Sequence, residues 1–477
     1  MSKNIVKMKA YYILKPKNLN LEYLLNKYNP DFKFNTDFAY LVIHFVILYQ
    51  SNKSSNYTRL SSKYLQKFNR IYNKHIQFLT ENFPNNGAVL RGARYEKGKP
   101  FGYKLPKYYS DSELEIYEIT DKSLLRKINE IILKKTTNEM VRLNYYFLLK
   151  YFNYGKLRIY EPSLAMERIN EIFDKEKRLR NAKSIIKIMN GDTKLTLKPK
   201  TDGRVHSNIT RLSKNARNHL QYDGEFLAEV DISSAIPFFL FLIMKYYLAN
   251  RLTYVSDEFQ YDNSIIYMLE KMPVYQVNKE VDDFGDLVLN KHLYERFADR
   301  IFKEEVYTSK GYNFEKVMKY YNHAFKEQFG YYFDGDMKDL VKFAKKRLLS
   351  MLFAKTSIYK FEQLAFGSIF PQVLYFINEF KNIDNNNGDP KERHKKIAYC
   401  TFQFEAKTMI DKIAREYDKI HKGKVPVFTL HDCLITTVSH VEELKDFMDN
   451  KFIDLFGVAP NLTIEKSKFV TDYREVS

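Results

Sequence analysis

A small, mostly antiparallel sheet with helices on one side and large helical insertions, an α+β fold, follows from three features of this chain. Short β-prone runs lie around Leu195–Leu197, Leu227–Ile232, Pro426–Thr437 and Leu462–Ile464. Long stretches with apolar residues at helical spacing separate them. The chain has 477 residues, 45% of them hydrophobic and 16% aromatic, enough for a large core and two or three domains. That composition excludes an intrinsically disordered protein.

Taken in order, residues 1 to about 85 read as helical, with apolar positions at helical spacing in Phe38–Tyr49 and Leu60–Phe83. Asn85–Pro106 breaks the pattern: Gly and Pro sit among Arg91, Arg94, Lys97, Lys99 and Lys104, which predicts a basic loop or hairpin. Such a segment suits a phosphate backbone, or is simply solvated. Residues 112–190 read as helical again, with charged faces over Lys122–Lys135 and Glu167–Lys187. Asp111-Ser112-Glu113 has the spacing of an exonuclease acidic pair, but no β-prone run surrounds it and it reads as surface. Asp384–Pro390 reads as a surface turn, and no internal repeat is visible.

Lys plus Arg number 77 against 58 Asp plus Glu, a net charge of +19. With a pI near 9.3 this suggests a polyanionic partner, nucleic acid being the commonest, although a Lys-rich and Asn-rich chain has a basic surface regardless. Two cysteines, Cys400 and Cys433, are too few for a disulfide framework and too far apart for a zinc knuckle. The most apolar segment, Ala235–Leu248, is too short for a membrane span and contains Pro237 and Lys245. The N-terminus lacks the apolar stretch of a signal peptide. The expectation is a cytoplasmic protein in a reducing compartment, with no membrane partner.

Two distant segments carry the chemistry. Glu229-Val-Asp-Ile-Ser-Ser-Ala-Ile-Pro-Phe-Phe239 and Val427-Phe-Thr-Leu-His-Asp-Cys-Leu-Ile-Thr436 are apolar, β-prone runs with one aspartate set into each, Asp231 and Asp432. A carboxylate among buried residues is unfavourable unless paired. Two of them brought together make a site for hard divalent cations. Three further blocks stand in fixed order around them. Thr201-Asp-Gly203-Arg204-Val-His206-Ser-Asn208 precedes Asp231. Val341–Lys355 follows; on a helix its positions 342, 346, 349 and 353 share one face, cations at one end and Phe353 at the other. Tyr399-Cys-Thr-Phe-Gln403-Phe-Glu405-Ala406 opens an amphipathic helix before Asp432.

This order, over roughly residues 195–477, resembles the polymerase module of family A DNA polymerases and the related single-subunit phage-type RNA polymerases. The resemblance implies a right-hand fold: palm from 201–240 and 391–477, helical fingers with an insertion over 241–390, and a helical thumb-like region over 111–200. Residues 1–110 would form a mostly helical, basic region without an assigned role. It implies that Asp231 and Asp432, with the Ile232 backbone carbonyl, bind two Mg²⁺ (or Mn²⁺) and are catalytic. Lys342, Lys345 or Lys346 would grip a nucleoside triphosphate, with Phe353 and Ile236 also at the nucleotide. Arg204, Arg211, Arg217, Gln403 and His431 would contact primer–template DNA or RNA. His206 and His219 read equally well as polar surface.

The sequence departs from the family at three places. Ile236 stands where the DNA enzymes carry the glutamate that excludes a 2′-hydroxyl. Phe353-Ala354 replaces Tyr-Gly, and Cys433 after His431-Asp432 is nearer the RNA enzymes. The expected activity is template-directed DNA synthesis, as in a phage or other mobile element. The alternatives are an RNA polymerase, primase or terminal transferase on the same fold, or a non-catalytic nucleic-acid-binding protein.

Overall fold

The computed structural model describes residues 10–470, apart from 51–56, 95, 133–138, 154, 193–194, 200, 249–277 and 384–389. The chain divides into two units. The first comprises residues 1–196, 206–227 and 466–477; the second comprises 197–205 and 228–465.

In the first unit the helix Thr36–Tyr49 is apolar on nearly every side and buried from Asp37 to Ile47. Asn35 caps it by accepting from the Phe38 N–H at 2.8 Å. Asp37, buried in its first turn, accepts from the Tyr117 hydroxyl (2.6 Å) and from the N–H groups of Thr120 (2.7 Å) and Asp121 (2.6 Å). Three donors make a buried carboxylate tolerable. A two-stranded antiparallel ribbon, Tyr12–Pro16 with Leu114–Glu118, packs on this helix. Both strands fall where the sequence predicts helix. Their five-residue runs are too short to carry a helical period, so long-range pairing decides their conformation. The ribbon also ties together segments that the sequence divides near residue 110. Asp111 and Glu113 are surface residues, ion-paired to Lys175 and Lys17 at 2.7 Å each, although a strand begins directly after them.

The basic segment around residues 91–104 is a hairpin: Arg91–Gly92 pairs with Gly102–Lys104, which also pairs with Thr58–Arg59. Leu220–Tyr222 pairs with Leu157–Ile159 and with Glu225–Phe226. His219 is buried rather than superficial; its Nδ1 lies 2.9 Å from the Tyr160 carbonyl and its ring meets Phe469 at 4.8 Å.

The second unit is built on a small sheet. The strand Glu225–Ile232, which starts in the first unit, runs between Cys433–Thr437 and Leu462–Lys466, and Phe428–Leu430 lies outside Cys433–Thr437. The segment expected as one strand, Pro426–Thr437, is a hairpin: Leu430 pairs with Cys433 across the two-residue turn His431-Asp432. His431 takes a left-handed φ of +58° there, a conformation that a tight two-residue turn demands. Ala235–Leu248 is a helix, buried from Pro237 to Met244; its Phe238 and Phe239 pack on Phe452 and Phe404. The stretch expected to form fingers consists, in its described part, of helices joined by short connections, from Asn278–Leu289 to Pro371–Asn382. The turn expected at Asp384–Pro390 lies, but for Pro390, outside the described residues. No described helix is long and apolar enough to cross a membrane.

Candidate active site

Strand alternation places Glu229 and Asp231 on one face of their strand while Ala228, Val230 and Ile232 are buried on the other. The strand ends at Ile232, and the chain turns through Ser234, at φ +60°, into the Ala235 helix. Asp432 arrives from the hairpin tip. The Ile232 N–H donates to the Asp432 carbonyl at 3.3 Å, which docks the two aspartates' backbones side by side. The Thr463 hydroxyl donates to the Asp231 carbonyl at 3.4 Å, holding the last strand against the first.

The electrostatics follow from this convergence. Burial, and then the charge of Asp432, Glu465 and Glu229, push the Asp231 carboxyl up to about 7; Lys345 opposes them. Burial raises Asp432 as well, while Arg204 and Lys345 pull it down. The pair is thus a partly buried, like-charged couple flanked by two cations.

Lys345, Lys342 and Lys346 all lie on the helix Met337–Phe353, whose buried stripe is Leu340, Phe343, Ala344, Leu348, Met351 and Leu352. Lys345 is the lysine whose charge reaches both aspartates, and its ammonium sits 5.4 Å from the Tyr294 ring centroid. Lys342 faces solvent and pairs with Asp339 at 2.7 Å. Lys346 is exposed. A helix turns about 100° per residue, so Lys346 points about 100° away from Lys345, while Lys342, only about 60° away, is held by Asp339. Arg347, next along, is committed to the core: it is ion-paired with the fully buried Glu362 and stacked on Tyr320 and Tyr359.

The resemblance implies that the Arg204 guanidinium contacts primer–template DNA or RNA. Its fork is filled instead by Glu405, through Nε (2.8 Å) and Nη2 (2.7 Å), while its plane lies 4.3 Å from the Phe402 ring centroid. Phe402 in turn meets Phe353 at 5.5 Å. Glu405 is fully buried. Burial raises its carboxyl to about 7 despite Arg204, with Asp432 and Asp202 adding to the rise. Gln403 is also buried, and its amide nitrogen donates to the Thr201 carbonyl at 3.1 Å. Gly203, at φ +63°, brings the turn so close that a Cβ would stand 3.2 Å from Gln403 Cγ. The 201–204 turn and the Phe402–Glu405 helix therefore form one wall beside Asp432. Ile236 is half-buried in the first turn of its helix.

Arg211 and Arg217 belong to the first unit. Arg211 is exposed, and Arg217 donates to the Leu212 carbonyl at 3.0 Å. Glu405, Glu465 and Tyr294 join the site without having been singled out by their sequence pattern. Glu229 was not singled out either, although its place two residues before Asp231 on the same strand face is a signal that could have found it. Tyr294 lies on the helix Leu293–Ile301. Burial raises its phenol to about 12, with Ser234 opposing the rise and the charge of Asp432 adding to it.

Among the described residues no three His, Cys, Asp or Glu side chains form a metal cage. The oxygens of Asp231 and Asp432 nevertheless fit Mg²⁺, which retains waters and is typically held by one or two carboxylates plus substrate phosphates. A raised carboxyl beside a second one is a donor set that a divalent cation stabilises. No protein-family model matches the chain, and a search of the curated proteins finds no match.

Proposed function

We propose that the second unit is a nucleotidyltransferase that extends a 3′-hydroxyl, most simply as a template-directed DNA polymerase. The observation that supports this reading best is the docking of Asp231 against Asp432, with Asp231 pushed up to about 7 beside it. Two carboxylates so placed repel each other and call for a cation.

Asp231 and Asp432 would hold Mg²⁺, with the Ile232 carbonyl available beside them. Bound there, Mg²⁺ supplies the charge that acidifies a 3′-hydroxyl and offsets the phosphates of a triphosphate. Asp231 must give up its proton on binding, so metal affinity rises with pH through about 7. Lys345 supplies a fixed positive charge facing both aspartates, suited to an incoming triphosphate. Glu405 locks Arg204 in place, so that its positive charge acts on Asp432 without being free to bind phosphate itself. Phe402 and Phe353 present an aromatic surface at the end of the Lys345 helix.

Ile236 favours a second reading, that ribonucleotides are substrates too, because it offers no carboxylate to reject a 2′-hydroxyl. One lost contact is worth about 1–3 kcal/mol. The test is extension of a labelled primer on a template with Mg²⁺ and either deoxynucleotides or ribonucleotides. Template-length products from deoxynucleotides, with ribonucleotides within about tenfold, support this reading. Absence of product with both sets contradicts it.

A further inference from the structure

The first unit holds a cavity of about 650 Å³ between the helices Ser62–Phe68 and Tyr72–Thr80 and the basic hairpin. Leu60, Leu65 and Ile76 supply its aliphatic lining. Three rings, Tyr72, Phe101 and Tyr103, line it as well. Phe101 is 41% exposed, and its ring centroid lies 5.3 Å from that of Tyr103. Gly92 leaves room for that ring, since a Cβ there would stand 2.8 Å from Phe101 Cε1. Tyr103 is only 7% exposed, yet its hydroxyl has no hydrogen-bond partner among the described residues. The exposed Ser62 hydroxyl and the Asn73 and Gln77 amides, also in the lining, make no hydrogen bond there either. The one ionic side chain among the described lining residues, Lys99, shares Glu96 with Arg59.

The surroundings are basic. Between Tyr57 and Lys104 the chain carries ten Lys or Arg against two acids, Glu81 and Glu96. Lys63, Lys67, Arg70, Arg91, Arg94 and Lys97 are exposed and make no ion pair among the described residues. The nearby segments outside the described residues, 51–56 and 95, contain no acid in their sequence. A solvated crevice with a basic rim is the plain alternative. It accounts for the lysines, but not for a buried phenol without a partner, because burying an unpaired polar group is unfavourable. Nor does it account for the exposed ring beside that phenol. Apolar and aromatic walls with uncharged donors and acceptors suit a planar, uncharged heterocycle. Cations spread over two helices and a hairpin, rather than gathered at one point, suit the successive phosphates of a strand.

We propose that this cavity holds an unpaired base of a single-stranded nucleic acid, stacked on Phe101 and hydrogen-bonded by Tyr103, with the surrounding cations on the flanking phosphates. The site lies wholly in the first unit and does not rest on the nucleotidyltransferase reading. The test is fluorescence anisotropy on the full-length protein without metal, comparing a short labelled oligodeoxythymidine with an abasic strand of the same length. The strand with bases is expected to bind about fivefold tighter or more, as stacking on one aromatic side chain allows. Phe101→Ala, at an exposed position where the fold should tolerate the change, should remove that difference and leave the salt dependence unchanged. Tyr103→Phe, which keeps the ring, should weaken binding of the base-bearing strand about two- to tenfold. Asp432→Asn should alter neither quantity. A strand carrying 5-iodouracil should photocrosslink within residues 60–103. Oligouridine run beside the DNA strand tells RNA from DNA, and a base-dependent gain with either one supports the proposal. Equal binding of base-bearing and abasic strands overturns it and leaves the cavity to an apolar peptide. A base preference that survives both Phe101→Ala and Tyr103→Phe, or crosslinks confined to other residues, overturns it too. A base preference lost in Asp432→Asn overturns it by placing the base at the aspartate site. Base-dependent binding retained by a protein that extends no primer would contradict the polymerase reading alone.

Discussion

At the scale of single residues the site depends on carboxyls that the fold makes hard to ionise. Burial, and then the charge of Asp432, push the Asp231 carboxyl up from its ordinary 3.8 to about 7 in the folded chain. Between those values the folded state holds more protons than the unfolded one, so stability is greatest at the acidic side and falls as pH rises towards 7. Glu405, also raised to about 7, acts in the same direction. We therefore expect the metal-free protein to lose stability from pH 5 to 8. Asp231→Asn should lose less, by roughly 1–3 kcal/mol, since each tenfold difference in proton affinity between folded and unfolded chain is worth about 1.4 kcal/mol. Thermal melts across that range, with and without Mg²⁺, check this; Mg²⁺ should restore the wild type at pH 8 and leave Asp231→Asn unchanged. Lys345→Ala should raise KM for the nucleotide at least tenfold, and Lys342→Ala, whose ammonium is occupied by Asp339, should change it less than twofold, as steady-state kinetics can show.

At the scale of elements, the turn bearing Gly203 and Arg204 and the helix bearing Phe402, Gln403 and Glu405 act as one piece. Glu405→Ala would leave the Arg204 guanidinium buried without its partner, and removal of one member of a buried pair costs about 3–5 kcal/mol. Gly203→Ala is expected to cost about 1–2 kcal/mol from its left-handed backbone alone, with the contact to Gln403 adding to it. Chemical denaturation of both variants measures this.

How far these elements were legible in the sequence depends on the range of the interactions that form them. The strand ending at Ile232 could be read from local pattern, but the β-prone run reads on to Phe239, where the chain is already helical from Ala235, because an apolar run buried on all sides has no period to tell strand from helix. The Pro426–Thr437 hairpin could not be read so, because an apolar run conceals a two-residue turn that needs no glycine when His431 accepts the positive φ. The Tyr12–Pro16 ribbon gives no local signal because its partner strand lies about a hundred residues away. Asp231, Asp432 and Lys345 were visible as types at spacings. The commitment of Arg204 to Glu405 was not, since nothing in the sequence tells whether an arginine's partner will be a phosphate or a buried glutamate.

At the scale of the whole molecule, the two units are interleaved along the chain, so no single cut separates them. A chain truncated after residue 196 would lack Leu220–Tyr222, the strand that pairs with Leu157–Ile159. It is expected to show less than half the cooperative unfolding signal per residue that the full chain shows by circular dichroism. The charge of +19 predicts nucleic-acid binding that weakens steeply with salt, as counterion release requires. Whether Asp231 and Asp432 form a nucleotidyl-transfer centre is decided by primer extension with Mg²⁺ for the wild type beside Asp432→Asn. Template-dependent products are expected from the wild type, with at least a thousandfold loss in the variant and DNA binding retained. Equal extension by both proteins, or none by a wild type that binds primer–template tightly, would contradict a catalytic role for the pair.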